Sequence, residues 1–101
     1  MLPHTVLRTK IIDINGKRII GFEVDLPNAP PLIILRGEKG FIMCGYLDIK
    51  VAEKLDLVAA RITGVKSIEE ALDKTISEAT SKAVKQGIKT GMKVKEALKA
   101  L

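Results

Sequence analysis

Only a few groups in this chain are of a type and spacing that could do chemistry, and the first is a lone thiol. Cys44, the only cysteine, stands in "EKGFIMCGYLD", residues 38–48. A nucleophilic cysteine works as the thiolate, which requires a base, a cation or a helix N-terminus beside it. The single histidine, His4, lies near the start of the chain. Arg61, Tyr46 or a lysine are the other residues that would serve as neighbours. Against this, a cysteine in an apolar strand beside Ile42, Met43 and Tyr46 is the usual setting of an inert packing residue, and free cysteine is among the most buried residue types. The packing role is the stronger reading. Gly45 follows directly. Glycine inside a strand marks a bulge or a close approach by a backbone or ligand, and Tyr46 and Asp48 supply polar tips at that strand's end. A small polar ligand would fit there; room for a neighbouring helix explains Gly45 equally.

A second group is "TGVKSIEE", where Gly64, Lys66 and Ser67 precede a helix pattern. Free backbone N–H groups, an ammonium and a hydroxyl suit an anion, although the spacing departs from a P-loop and helix capping alone accounts for Ser67. A third is "KQGIKTGMK", with Gly87 and Gly91 around a lysine-bearing turn. The ligand-binding candidates are thus Gly45, Tyr46, Asp48, Arg61, Gly64, Lys66 and Ser67, with Cys44 the one catalytic candidate. One cysteine and one histidine make no metal set, and a Ser-His-Asp arrangement would have to recruit His4. No cofactor is implied.

The elements that must position these residues read as α+β. "TVLRTKIIDI" (5–14) is rich in β-branched residues and predicts a strand. Asn15-Gly16 predicts a type I′ turn, and 17–25 returns as an alternating strand. "LPNAPP" is a rigid loop. Residues 32–35 and 41–47 form a second hairpin across "RGEKG". Asp48 caps a helix over 49–55, and 57–65 is a fifth strand. Ser67 with Glu70 opens a helix over 68–73, and Thr75 with Glu78 opens another reaching Gln86. Gly87 then serves as C′ stop, with Ile88 as its apolar partner. A last amphipathic segment, 93–101, aligns Val94, Ala97, Leu98 and Leu101. The expected architecture is a mostly antiparallel sheet of about five strands with short helices on one face, concentrated in the C-terminal third.

With 101 residues, 47 % of them apolar, the chain is expected to be one domain over 1–101 and not disordered. No apolar run approaches the roughly 18 residues of a membrane span, and the start lacks a signal-peptide pattern. A cytoplasmic location is expected. The net charge of +5 is concentrated in 73–101, which holds seven lysines against three acidic residues. Nucleic-acid binding through those lysines is a faint alternative, because none of the three aromatics, Phe22, Phe41 and Tyr46, lies among them. Scarce Asn and Gln beside many Ile, Lys and Glu resemble a heat-adapted composition.

"LIIL", "FIMCGYL" and "LVAA" are continuous apolar runs, which belong to strands covered on both faces. Short helices following the sheet shelter one face. The other calls for a second copy of the chain, in a symmetric dimer, unless the long first strand curls round to close it.

"GFIMCGYLD" (40–48), "ARITGVKSIEEAL" (60–72) and "GIKTGMKVKEAL" (87–98), in this order and spacing, resemble the YunC-like family of small bacterial and archaeal proteins, a domain of unknown function. The resemblance covers about the last two-thirds of the chain. It implies a compact α+β single domain and no established reaction, cofactor or catalytic residue. Lys93 and Val94 stand where relatives tend to carry a small polar residue and glycine, which weakens the cap of the last helix. The reading that follows is a self-associating, non-enzymatic or regulatory module that binds a small anion near the ends of strands 41–47 and 57–65. A thiol enzyme or redox protein built on Cys44 is the alternative.

Overall fold

The computed structural model describes residues 6–101; His4 and the first residue of the expected opening strand lie outside them. Six strands form one sheet in the order β1 (Leu7–Ile14), β2 (Lys17–Val24), β3 (Leu32–Arg36), β4 (Phe41–Met43), β5 (Ala59–Arg61) and β6 (Glu78–Ala79). All neighbours are antiparallel except β4 and β5. Four short helices complete the α+β fold: α1 (Ile49–Lys54), α2 (Ile68–Leu72), α3 (Ser81–Lys85) and α4 (Val94–Leu98).

The first hairpin turns where Asn15 and Gly16 both take positive φ, 50° and 78°, as a type I′ turn demands. Asp48 caps α1 by accepting the N–H groups of Lys50 and Val51, and Ser67 caps α2 by accepting that of Glu70. α3 ends in the expected Schellman geometry: Gly87 has φ +98°, its N–H bonds the Val84 carbonyl, and the Ile88 N–H reaches back to Ala83. Ile88 is fully buried. Lys93 precedes α4 without a side-chain capping bond.

Three expectations fail locally. The strand expected over 41–47 stops at Met43, because the chain turns after Cys44 to reach α1, with the Leu47 N–H closing on the Cys44 carbonyl. The strand expected over 57–65 is confined to Ala59–Arg61. The helix expected to open at Thr75 does not start there. Residues 75–80 instead supply β6 and a bridge between Thr75 and Lys93, with the Ser77 N–H on the Arg61 carbonyl and the Ile76 N–H on Met92. An unpaired β5 edge outcompetes one turn of helix, and the true cap of α3 is Thr80. Thr80 is buried and saturated: its hydroxyl donates to the Leu57 carbonyl at 2.6 Å and accepts from the N–H groups of Ala59 and Ala83, each at 3.2 Å.

The register separates two faces. Ile12 pairs with Ile19, Gly21 with Leu35, Leu35 with Ile42, and Ile42 with Ala60, so these residues share a side. α2 and α4 pack on it, and Ile68, Ala71, Val94, Ala97 and Leu98 are buried with those strand residues in one core. Burying each such Ile or Leu contributes roughly 1.5–3 kcal/mol. Ala59 alternates to the opposite side and is buried with Ala52 of α1 outside that core.

Across the opposite side run three rows: Leu7, Val24 and Leu32; Thr9, Phe22, Ile34 and Met43; Ile11, Ile20, Arg36 and Phe41. Leu7 and Ile11 are 55 % and 60 % exposed. Ile20, Phe22, Val24, Ile34 and Phe41 are half-buried and stand apart from the main core.

Candidate functional site

β4 and β5 are the one parallel pair of the described sheet, joined through α1. Both strands therefore end on the same side, and the loops that follow them, 44–48 and 62–67, meet there. Crevices outside the carboxyl ends of parallel strands are where ligands commonly bind in such sheets. A pocket of about 310 Å³ occupies this place, lined by Pro30, Pro31, Cys44, Gly45, Tyr46, Gly64 and Val65. Pro30 and Pro31 come from the loop entering β3, next to β4.

Cys44 belongs to the pocket and also to the core. It is 4 % exposed, its Sγ accepts the Ile33 N–H at 3.3 Å and faces the Pro31 carbonyl at 4.0 Å. A thiol fixed between a backbone donor and a carbonyl packs; no ion pair or imidazole among the described residues activates it. The Tyr46 hydroxyl donates to the Pro30 carbonyl at 2.8 Å, which holds its side chain across the pocket's side.

Arg61 ends β5. Its Nη1 donates to Glu78 Oε1 at 2.6 Å, while Nη2 lies 3.9 Å from the place a Cβ of Gly45 would take. Among the described residues its Nε is a buried side-chain nitrogen with no hydrogen-bond partner. Gly64 takes φ +70°, and Lys74 Nζ lies 3.8 Å from the place of its absent Cβ.

The structure thus brings Cys44, Gly45, Tyr46 and Gly64 to one pocket, with Arg61 at its border. Asp48 and Ser67 are engaged as helix caps, and Lys66 is exposed in the loop leading to α2. Of the C-terminal lysines, Lys82, Lys95 and Lys99 pair with Asp56, Asp73 and Glu96, so this surface is partly neutralised. Among the described residues no cluster of His, Cys, Asp and Glu could hold a metal ion, and no helix is long and apolar enough to cross a membrane.

A charge cluster elsewhere escaped the reading of the sequence. Arg8 Nη2 bonds Glu69 Oε1 at 2.6 Å and Glu23 Oε1 at 2.8 Å, Lys10 Nζ reaches Glu69 at 3.0 Å, and Glu23 Oε1 accepts the Ile68 N–H at the start of α2. The hydrogen bonds to Glu69 and then Glu23 hold the Arg8 guanidinium above its ordinary pKa. The bond from Arg8 depresses Glu69 strongly and is also the largest cause of the lowered Glu23. The signal was present: Arg8 and Lys10 share the alternation phase of Ile12 and Ile14, so they reach the helix-covered side where apolar residues would be expected. The cluster clamps the first hairpin to α2, and none of its residues lines the pocket.

Fold and pocket together define a small α+β protein with a loop-built crevice beside its one parallel strand pair. The chain belongs to the family described as "Domain of unknown function (DUF1805)", whose model matches residues 43–101. It is similar over nearly its whole length to a solved structure, the crystal structure of a protein of unknown function, TA1206, from Thermoplasma acidophilum: 35 % identity, 94 % of this chain and 92 % of that one, TM-score 0.88. Comparison with curated proteins gives no match.

Proposed function

We propose that this protein is a single-domain, cytoplasmic, self-associating module without catalytic activity of its own, and that it binds a small anion where β4 and β5 end. We place it with the YunC-like proteins that its motifs resemble. Its composition, and a similar protein in Thermoplasma, fit a heat-adapted host.

The observation that carries the proposal is the uncovered side of the sheet. Leu7, Ile11, Ile20, Phe22, Val24, Ile34 and Phe41 share it and stand outside the main core, and none is fully buried. At about 4.8 Å between strands and 3.4 Å per residue, β1 to β4 present roughly 400 Å² of flat area. Side-chain relief enlarges this toward the ~800 Å² per partner of a standard interface. A second copy is the occupant we infer. The border carries both signs, Asp13 opposite Arg18 on one side and Arg61 with Glu78 on the other, so a two-fold mate would meet unlike charge as well as like. The buried Cys44 gives the alternative of thiol chemistry less support.

Light scattering at micromolar concentration tests the association. The expected mass is twice the 11.0 kDa of one chain; a mass of one chain that persists as concentration rises would end it.

A further inference from the structure

The pocket beside β4 and β5 has two unlike parts. Its walls are the rings of Pro30, Pro31 and Tyr46 and the side chain of Val65. The Tyr46 hydroxyl is already committed to the Pro30 carbonyl. These walls therefore offer a guest apolar contact and no free side-chain donor. The volume of about 310 Å³ equals about ten waters at ~30 Å³ each, and it lies at the small end of the range for ligand sites.

Two lining positions are different. Gly45 and Gly64 carry no side chains, and Arg61 Nη2 borders the first and Lys74 Nζ the second. The N–H groups of Gly45, Tyr46, Gly64 and Val65 have no protein acceptor among the described residues. Glu78 engages only Nη1 of Arg61, and Nε is buried without an acceptor. Free amides and the one open guanidinium nitrogen, Nη2, favour a negative group such as a carboxylate.

We propose that the pocket binds a small amphipathic carboxylate, with its hydrocarbon body against Pro30, Pro31, Tyr46 and Val65 and its anionic head at Gly45 and Gly64, beside Arg61. The binding is non-covalent. This rests on reading the ends of β4 and β5 as an anion site and narrows that reading to a ligand class.

The test uses the isotope-labelled full chain and three probes: hexanoate, hexan-1-ol, which keeps the body without the charge, and inorganic phosphate, which keeps a charge without the body. Hexanoate is expected to shift the amides of Gly45, Tyr46, Gly64 and Val65 saturably at millimolar concentration, with the other two probes at least tenfold weaker. Gly45→Val should weaken hexanoate at least tenfold. A Cβ at Gly45 meets only Arg61 Nη2, at the ordinary distance of 3.9 Å, and an unshifted remainder of the spectrum is the control that the variant keeps its fold. Equal binding of hexan-1-ol overturns the charged head. Phosphate binding as tightly as hexanoate leaves the anion site standing and overturns the amphipathic class. No saturable shift with any probe overturns both. Light scattering on the same samples reports association separately, so a dimer that ignores hexanoate and a monomer that binds it are distinct results.

Discussion

Gly21 on β2 faces Ile68 on α2 so closely that a Cβ on the glycine would stand 3.0 Å from Ile68 Cγ2. Both residues are buried, and Ile68 also gives its N–H to Glu23, two residues along the same strand. The missing methyl group therefore sets how near α2 lies to the sheet. Ile68 is fully buried, so it yields only by displacing its own neighbours. Gly21→Ala should cost about 1–2 kcal/mol, overpacking outweighing the gain in strand propensity, and Gly21→Val about 3 kcal/mol or more. Urea midpoints measure both; a neutral Gly21→Val would show that α2 is not held at this distance.

Acid should weaken the same contact. Glu69 and Glu23 have pKa values lowered chiefly by the hydrogen bonds from Arg8. A depressed carboxyl contributes its stability in full above the unfolded value of about 4.3 and loses it as pH falls through the folded value. Arg8 stays charged throughout. Stability should hold from neutral pH down to about 5 and fall steadily below about 4. Glu69 is close to half exposed, so solvent screening keeps the loss from Glu69→Gln at neutral pH below about 1 kcal/mol. The same variant should show a flatter decline in acid. Urea titrations across this range check both.

Ile34 lies in the central row of the uncovered side, between Phe22 and Met43. Ile34→Lys should halve the mass seen by light scattering and leave the far-ultraviolet circular dichroism unchanged, because the residue is only half-buried and outside the main core. An unchanged mass would place any association elsewhere.

Cys44 should behave as a packing residue. A bulky disulfide reagent should label it at least tenfold more slowly in the native protein than in urea, since the thiol is 4 % exposed. Cys44→Ala should cost about 1–3 kcal/mol, through the small cavity and the loss of the acceptor for the Ile33 N–H. Rapid native labelling would revive the thiol alternative.

Much of this fold could be read from local chemistry. Asn15-Gly16, Asp48, Ser67 and Gly87 each act within four residues of themselves, and each does what its type demands. The apolar runs marked the central strands, although their burial in the single chain alternates: Ile33, Leu35 and Ile42 are buried and Leu32, Ile34 and Phe41 only half-buried. What escaped was set by distant partners. Thr75 and Glu78 have the spacing of a capping box, yet the free edge of β5, remote in sequence, claims that segment as β6. The strand ends were overestimated because Cys44, Leu47, Ile62 and Val65 continue the apolar pattern beyond the paired residues; Cys44 and Val65 line the pocket and Ile62 fills the core instead. Gly45 was legible as a place where a backbone or ligand comes near, and Gly64 as part of a turn suited to an anion. That Pro30 and Pro31 would meet them was not, because the contact depends on the chain turning after Cys44 where a longer strand was expected. The Arg8 cluster was hidden because Glu69 joins it from 61 residues away.

The two rims of the sheet bear on how copies of this chain can meet. β6 has only two residues, too few to template another strand. β1 is eight residues long but carries Arg8, Lys10 and Asp13, charges that resist backbone-to-backbone addition. Growth by strand after strand, the route to fibres, is therefore obstructed at each end. If two copies meet as proposed, through the side of the sheet that carries Phe22 and Ile34, that contact closes on itself instead of propagating.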